Sequence, residues 1–174
     1  MKIHTFAPDA RAGEILRDWW LALADNRGDR AELRRARSPD DAVLVPATVY
    51  LVTALRKTDV ADHGGWIGRI PLIAGVVAHL DPNKEQTVLH DTTSLPERMA
   101  ITAPNSDRPL VSELRFRRLL RTPRHGLYRP MIRILALLDY QANLYELAES
   151  LFWWGPKVQK DWAFTSFPRL KRKK

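Results

Sequence analysis

Cysteine is absent from all 174 residues. That rules out a disulfide framework, thiol catalysis and a thiolate zinc site, and it suits a reducing compartment. Long apolar runs are missing too. No stretch reaches the ~18 apolar residues of a membrane span, and Met1–Glu14 has no apolar core of the kind a secretory leader carries. A soluble, cytoplasmic protein without membrane contact is expected.

Signatures of catalysis are equally scarce. His4, His63, His79, His90 and His125 are scattered, with neither an HExxH nor a paired spacing, so no metal site is expected. There is no Walker A loop, GxGxxG fingerprint or GxSxG elbow. His63-Gly64-Gly65 reads as an interhelical turn, because no serine nucleophile accompanies it. Asp40-Asp41 reads as first-turn helix acids and not as an acid/base couple. No enzyme, cofactor or metal is predicted.

What is abundant is hydrophobic residues, at 45%, with six tryptophans, which makes the chain globular. Positive charge is also abundant and unevenly placed. The net charge is +8, yet Arg27–Arg37 holds five arginines against Asp29 and Glu32, and Arg108–Arg133 holds eight against Glu113. The end of the chain, Arg169–Lys174, adds five more cations, so the remainder is acidic. Concentrated positive charge on an otherwise acidic chain is the footprint of a polyanion binder.

The clearest carrier is Ser112–Arg121, SELRFRRLLR. Ser112 is placed to cap a helix and Glu113 to meet its positive end. Phe116, Leu119 and Leu120 fall on one arc, leaving Arg115, Arg117, Arg118 and Arg121 on the rest. Leu114 sits among the arginines, against a neighbouring element or a partner chain.

Periodicity predicts helices along most of the chain. Asp9–Leu23 ends at Asn26-Arg27-Gly28. Asp29 opens DRAELRRA, with Glu32 closing a capping box and Arg30, Arg34 and Arg37 making one stripe. Ser38-Pro39-Asp40-Asp41 is a further start signal, and PATVYLVTALRKT follows from Pro46. Trp66–Leu80 is read as a buried helix kinked near Pro71, with strand possible for part of it. Asp81–Pro109, with four prolines and weak periodicity, is read as an irregular, mobile link holding a short strand at Thr87–Leu89. Pro130–Tyr140 should be buried on most sides. Asn143 caps the next helix with Glu146 as box partner, and Gly155-Pro156 starts the last. Trp153, Trp154, Trp162 and Phe164 are assigned to the core in preference to base stacking. The LKRKK tail suits either a phosphate-binding arm or a solubilising end. The sum is an all-α fold of about eight helices in two halves, 1–80 and 110–174, joined by 81–109.

Several pieces of this chain resemble the CasB family, the small subunit of the type I-E CRISPR Cascade surveillance complex. They are DNRGDRAELRRARSP at Asp25–Pro39, SELRFRRLL at Ser112–Leu120, MIRILALLD at Met131–Asp139, and NLYELAESLFWWG with VQKDWAFTSF at Asn143–Phe167. The likeness runs in order through most of residues 14–167 and is weakest across Asp81–Pro109.

The resemblance implies a non-catalytic helical subunit, present as two copies along the inner side of the complex. Its partners would be the guide-RNA-bearing backbone subunits, the large subunit and a second copy of itself. It would offer a basic track to the separated DNA strands of the R-loop and support recruitment of the nuclease-helicase. By motif the track maps onto Arg27, Arg30, Arg34 and Arg35, and onto Arg115, Arg117, Arg118 and Arg121, with Arg56, Lys57 and Arg133 as secondary candidates. The alternative is a protein-only scaffold whose basic faces dock acidic partner subunits. Strand holding requires residues 27–37 and 115–121, distant in sequence, to meet in one exposed positive path.

Overall fold

The structure, a computed structural model, describes residues 4–170. Along the chain run α1 (Arg11–Ala22), α2 (Arg27–Arg35), α3 (Pro39–Val43), α4 (Pro46–Leu55), α5 (Ile70–Val77), α6 (Glu85–His90), α7 (Leu95–Met99), α8 (Glu113–Leu120), α9 (Tyr128–Leu137), α10 (Leu144–Phe152) and α11 (Pro156–Leu170). The class is all-α, and among the described residues there are eleven α-helices where about eight were expected. Extended pairing there is limited to one isolated bridge between Thr102 and Pro109.

The centre of the molecule is α5. Every residue from Ile70 to Leu80 is buried, and α3, α4, α9, α10 and α2 pack around it. Each of its large aliphatic side chains removed from water stabilises the fold by about 1.5–3 kcal/mol. Pro71 does not kink this helix. It stands in the first turn of α5, after a 3-10 turn at Ile67–Arg69, where its missing N–H is one that no helical carbonyl would have accepted.

α10 is also buried along its whole length, charged residues included. Asn143 caps it by accepting from Glu146 N–H. Glu146 does not turn back to complete a box, as the sequence pattern suggested. Its carboxylate accepts from Leu95 N–H at 3.0 Å, while the Glu149 carboxylate accepts from Phe6 N–H at 2.9 Å. The two acids thereby fasten the start of α7 and the chain entering α1 to the core.

Residues 81–109 are more ordered in path than composition suggested. They hold a 3-10 turn at Pro82–Lys84, then α6 and α7, and Thr87–Leu89 lies in α6 and not in a strand. Ser94 and Glu97 form a capping box at α7. Asn143 Nδ2 donates to the Asp91 carbonyl, and α7 packs on α11. Proline-rich composition hid these helices because each is barely more than one turn, too short to show a 3.6-residue period.

Of the aromatic residues assigned to the core, Trp154 and Trp162 are buried, packed edge to face at 5.1 Å. Trp153 and Phe164 are exposed instead, at 37% and 68%. Trp153 stays at the surface with its indole N–H donated to Thr5 Oγ1.

Candidate nucleic-acid interface

Three helices build the basic surface. α2 starts at Arg27, two residues earlier than its sequence suggested, because Asn26 is the cap and accepts from Asp29 N–H. Its sole buried side chain is Leu33, so the helix lies across the surface with Arg27, Arg34 and Arg35 exposed. α8 is capped by Ser112 as expected and buries Phe116 and Leu119; Leu114 is exposed. α9 lies between them. It buries Tyr128, Met131, Ile134 and Leu135 but leaves Arg129, Arg133, Ala136 and Leu137 exposed. The expectation of burial on most sides is corrected: one full face of α9 is open.

That open face joins the two arginine stretches. Arg34, Arg35 and Arg37 line a cleft with Arg129 and Arg133. Arg115 and Arg118 line a second depression, again with Arg133. Arg133 belongs to both, so seven arginines follow one path from α2 over α9 to α8. No Asp or Glu lines either depression, and none of the seven forms an ion pair among the described residues. Like charges held this close repel one another, although Arg35 and Arg37 also line an adjoining depression with Glu32 and Asp41.

The remaining predicted residues stand elsewhere. Arg117 Nη2 and Nε donate to Glu113 Oε1 at 2.6 and 2.9 Å, and its guanidinium sits 5.4 Å from the Phe167 ring centre. It faces α11, away from the path. Arg121 and Arg27 are exposed beyond the two linings. Arg30 is half-buried, its acidity raised by burial and by Arg34, with Asp81 opposing. Arg56 and Lys57 are exposed just past the end of α4, outside both depressions. Arg124, counted in the basic stretch, is internal to the fold: its Nη2 donates to the Phe152 and Trp154 carbonyls at the end of α10. The last four residues of the LKRKK tail lie outside the described residues.

Sequence reasoning did not single out Arg129 and gave Arg133 only as a secondary candidate, yet both line the α2–α9 cleft. Their i, i+4 spacing on an amphipathic helix was the available signal. It was obscured by the apolar run that follows. Among the described residues no three His, Asp or Glu side chains gather where they could hold a metal ion, and no helix is long and apolar enough to cross a membrane.

The family model of CRISPR-associated protein Cse2 matches residues 29–165. A chain in the crystal structure of Escherichia coli Cascade bound to a PAM-containing dsDNA target is similar, with 21% identity and a TM-score of 0.62 over 93% of this chain and 96% of that one. A CRISPR-associated protein of the Cse2 family from Thermus thermophilus shares 22% identity, with a TM-score of 0.64 over 91% of this chain and 99% of that one. CasB from the same species shares 20%, with a TM-score of 0.63 over 91% and 99%. At these identities the likeness is one of fold. No curated protein sequence matches significantly. With the family model running from within α2 into α11, over most of the chain, the chain belongs to the Cse2, or CasB, family of CRISPR-associated proteins.

Proposed function

We propose that this protein is a non-catalytic small subunit of a Cascade complex that holds nucleic-acid backbone along the α2–α9–α8 path and so stabilises the R-loop. The observation that carries the proposal is Arg133, shared by the two arginine-lined depressions. The two helical halves then act as parts of one binding surface, α2 from the first and α8 and α9 from the second. Guanidinium groups grip phosphate bidentately and read no bases. Exchange of a DNA duplex for an RNA–DNA heteroduplex is nearly balanced, so modest contacts to displaced and target strands tip it. Within the complex, tethering multiplies weak contacts. Arg27, Arg30 and Arg121 flank the path and are secondary to Arg115, Arg118, Arg129 and Arg133, while Arg117 is turned away from it.

A second reading has its own observation. Val43, Leu44, Val49 and Tyr50 are exposed, Leu44 at 80% and Tyr50 at 71%, around the junction of α3 and α4. This apolar patch favours docking to a partner subunit of Cascade, a role compatible with strand holding on the arginine path.

The test is anisotropy of a labelled oligo-dT strand titrated with purified protein across salt concentrations. Arg118→Glu with Arg133→Glu should weaken binding at least tenfold and reduce the slope of log K against log salt by about 1.4, at roughly 0.7 per lost contact to a single strand. Unchanged affinity and slope, with helicity intact by circular dichroism, would overturn strand holding and leave docking of acidic subunits as the role of these arginines.

A further inference from the structure

The floor of the α2–α9 cleft is a histidine. His79 follows α5, is 9% exposed and lines the cleft beside Arg34, Arg129 and Arg133. Its Nε2 is buried and has no hydrogen-bond partner among the described residues. One ring face lies near Tyr140, with centres 6.1 Å apart and planes within 19°. A buried polar atom without a partner costs stability, and an apolar side chain of similar size would fill the position without that cost.

The charged groups around His79 are nearly all of one sign. α2 contributes Arg30 and Arg34, α9 contributes Arg129 and Arg133, and Arg35 and Arg37 line the same cleft. Asp81, two residues on, acts on Arg30, and Tyr140 is the other titratable neighbour. Burial first, then Arg34 and Arg30, push the imidazole pKa down to about 4. The free protein therefore holds a neutral ring beneath a group of guanidinium ions. An anion placed among those ions reverses the balance, because its charge favours the imidazolium.

We propose that the α2–α9 cleft seats one backbone phosphate of a bound strand and that His79 takes up a proton from solvent as the phosphate enters. The inference rests on the strand-holding reading above. Binding linked to proton uptake strengthens as pH falls, over the range between the free and the bound pKa of the ring.

The experiment titrates full-length protein with labelled oligo-dT from pH 8 to pH 5.5 at constant ionic strength, beside His79→Gln. The wild type should gain several-fold in affinity across that range. The variant should lose most of the gain, each protein's affinity being taken relative to its own value at pH 8. The other histidines are common to both proteins and cancel in the comparison. A second measurement needs no variant: the His79 ring proton resonance, followed by NMR, should titrate about two pH units higher with saturating oligo-dT than without.

Parallel pH profiles, or a His79 titration unmoved by the strand, would overturn the inference. If Arg118→Glu with Arg133→Glu still abolishes binding in that case, strand holding survives. If the wild type binds no strand at any pH, both fall together. Inorganic phosphate at matched ionic strength is the control for the source of the anion. Movement of the His79 titration by phosphate alone, with none from oligo-dT, would make the cleft a free-phosphate site and also overturn the inference.

Discussion

Two adjacent arginines show how little a residue's identity says without its surroundings. Arg117 and Arg118 are neighbours in SELRFRRLL, yet one is engaged by Glu113 and Phe167 while the other lines the positive path. Arg117→Ala should leave oligo-dT affinity within twofold and lower stability by about 0.5–1 kcal/mol, since an exposed i, i+4 pair and an exposed cation–π contact are each worth a fraction of a kcal/mol. A tenfold affinity loss in that variant would place Arg117 on the strand after all. Glu146 makes the same point for acids. Burial pushes its carboxyl up to about 7, with the Leu95 N–H bond partly opposing. The folded protein then holds a proton there that the unfolded chain has already released, so stability falls as pH rises from about 4.5 to 7. Glu146→Gln keeps an acceptor for Leu95 N–H and should gain on the order of 3 kcal/mol relative to wild type between pH 5 and pH 8. Thermal melts of both proteins at the two pH values check this; equal shifts would refute it. The sequence pattern identified Glu146 as a cap residue, but its actual partner lies 51 positions away.

At the level of elements, helix starts marked by Ser38 and Ser112 were legible, because a cap and its first turn are local chemistry. α6 and α7 were not, and the open face of α9 was concealed by PMIRILALLDY looking uniformly apolar. The packing of α5 on α9 was not legible at all. It depends on Gly75, where an added Cβ would stand 2.1 Å from the Tyr128 hydroxyl oxygen. Gly75→Ala should therefore destabilise by about 1–3 kcal/mol despite alanine's better helix propensity, a fall of about 3–10 °C in melting temperature for a chain of this size. The Tyr128 hydroxyl is buried with no partner among the described residues, so Tyr128→Phe should be nearly neutral alone and recover part of the loss in the double variant. Additive effects in that cycle would mean that the two positions do not meet.

For the whole molecule the question is whether total charge or its placement governs binding. Arg56→Glu with Lys57→Glu changes net charge by the same amount as Arg118→Glu with Arg133→Glu, but at a site outside both depressions. Placement predicts less than a twofold loss of oligo-dT affinity for the first pair and at least tenfold for the second, read in the same anisotropy titration at equal salt. Matching losses would mean that bulk charge alone attracts the strand. The sequence by itself determined the helical class, the family likeness and the presence of two arginine stretches, because propensity, caps and composition act over a few residues. Only tertiary structure decided which arginines share a surface. The path from α2 to α8 exists because α5 holds α2 and α9 side by side, and contacts of that range leave no mark on local spacing.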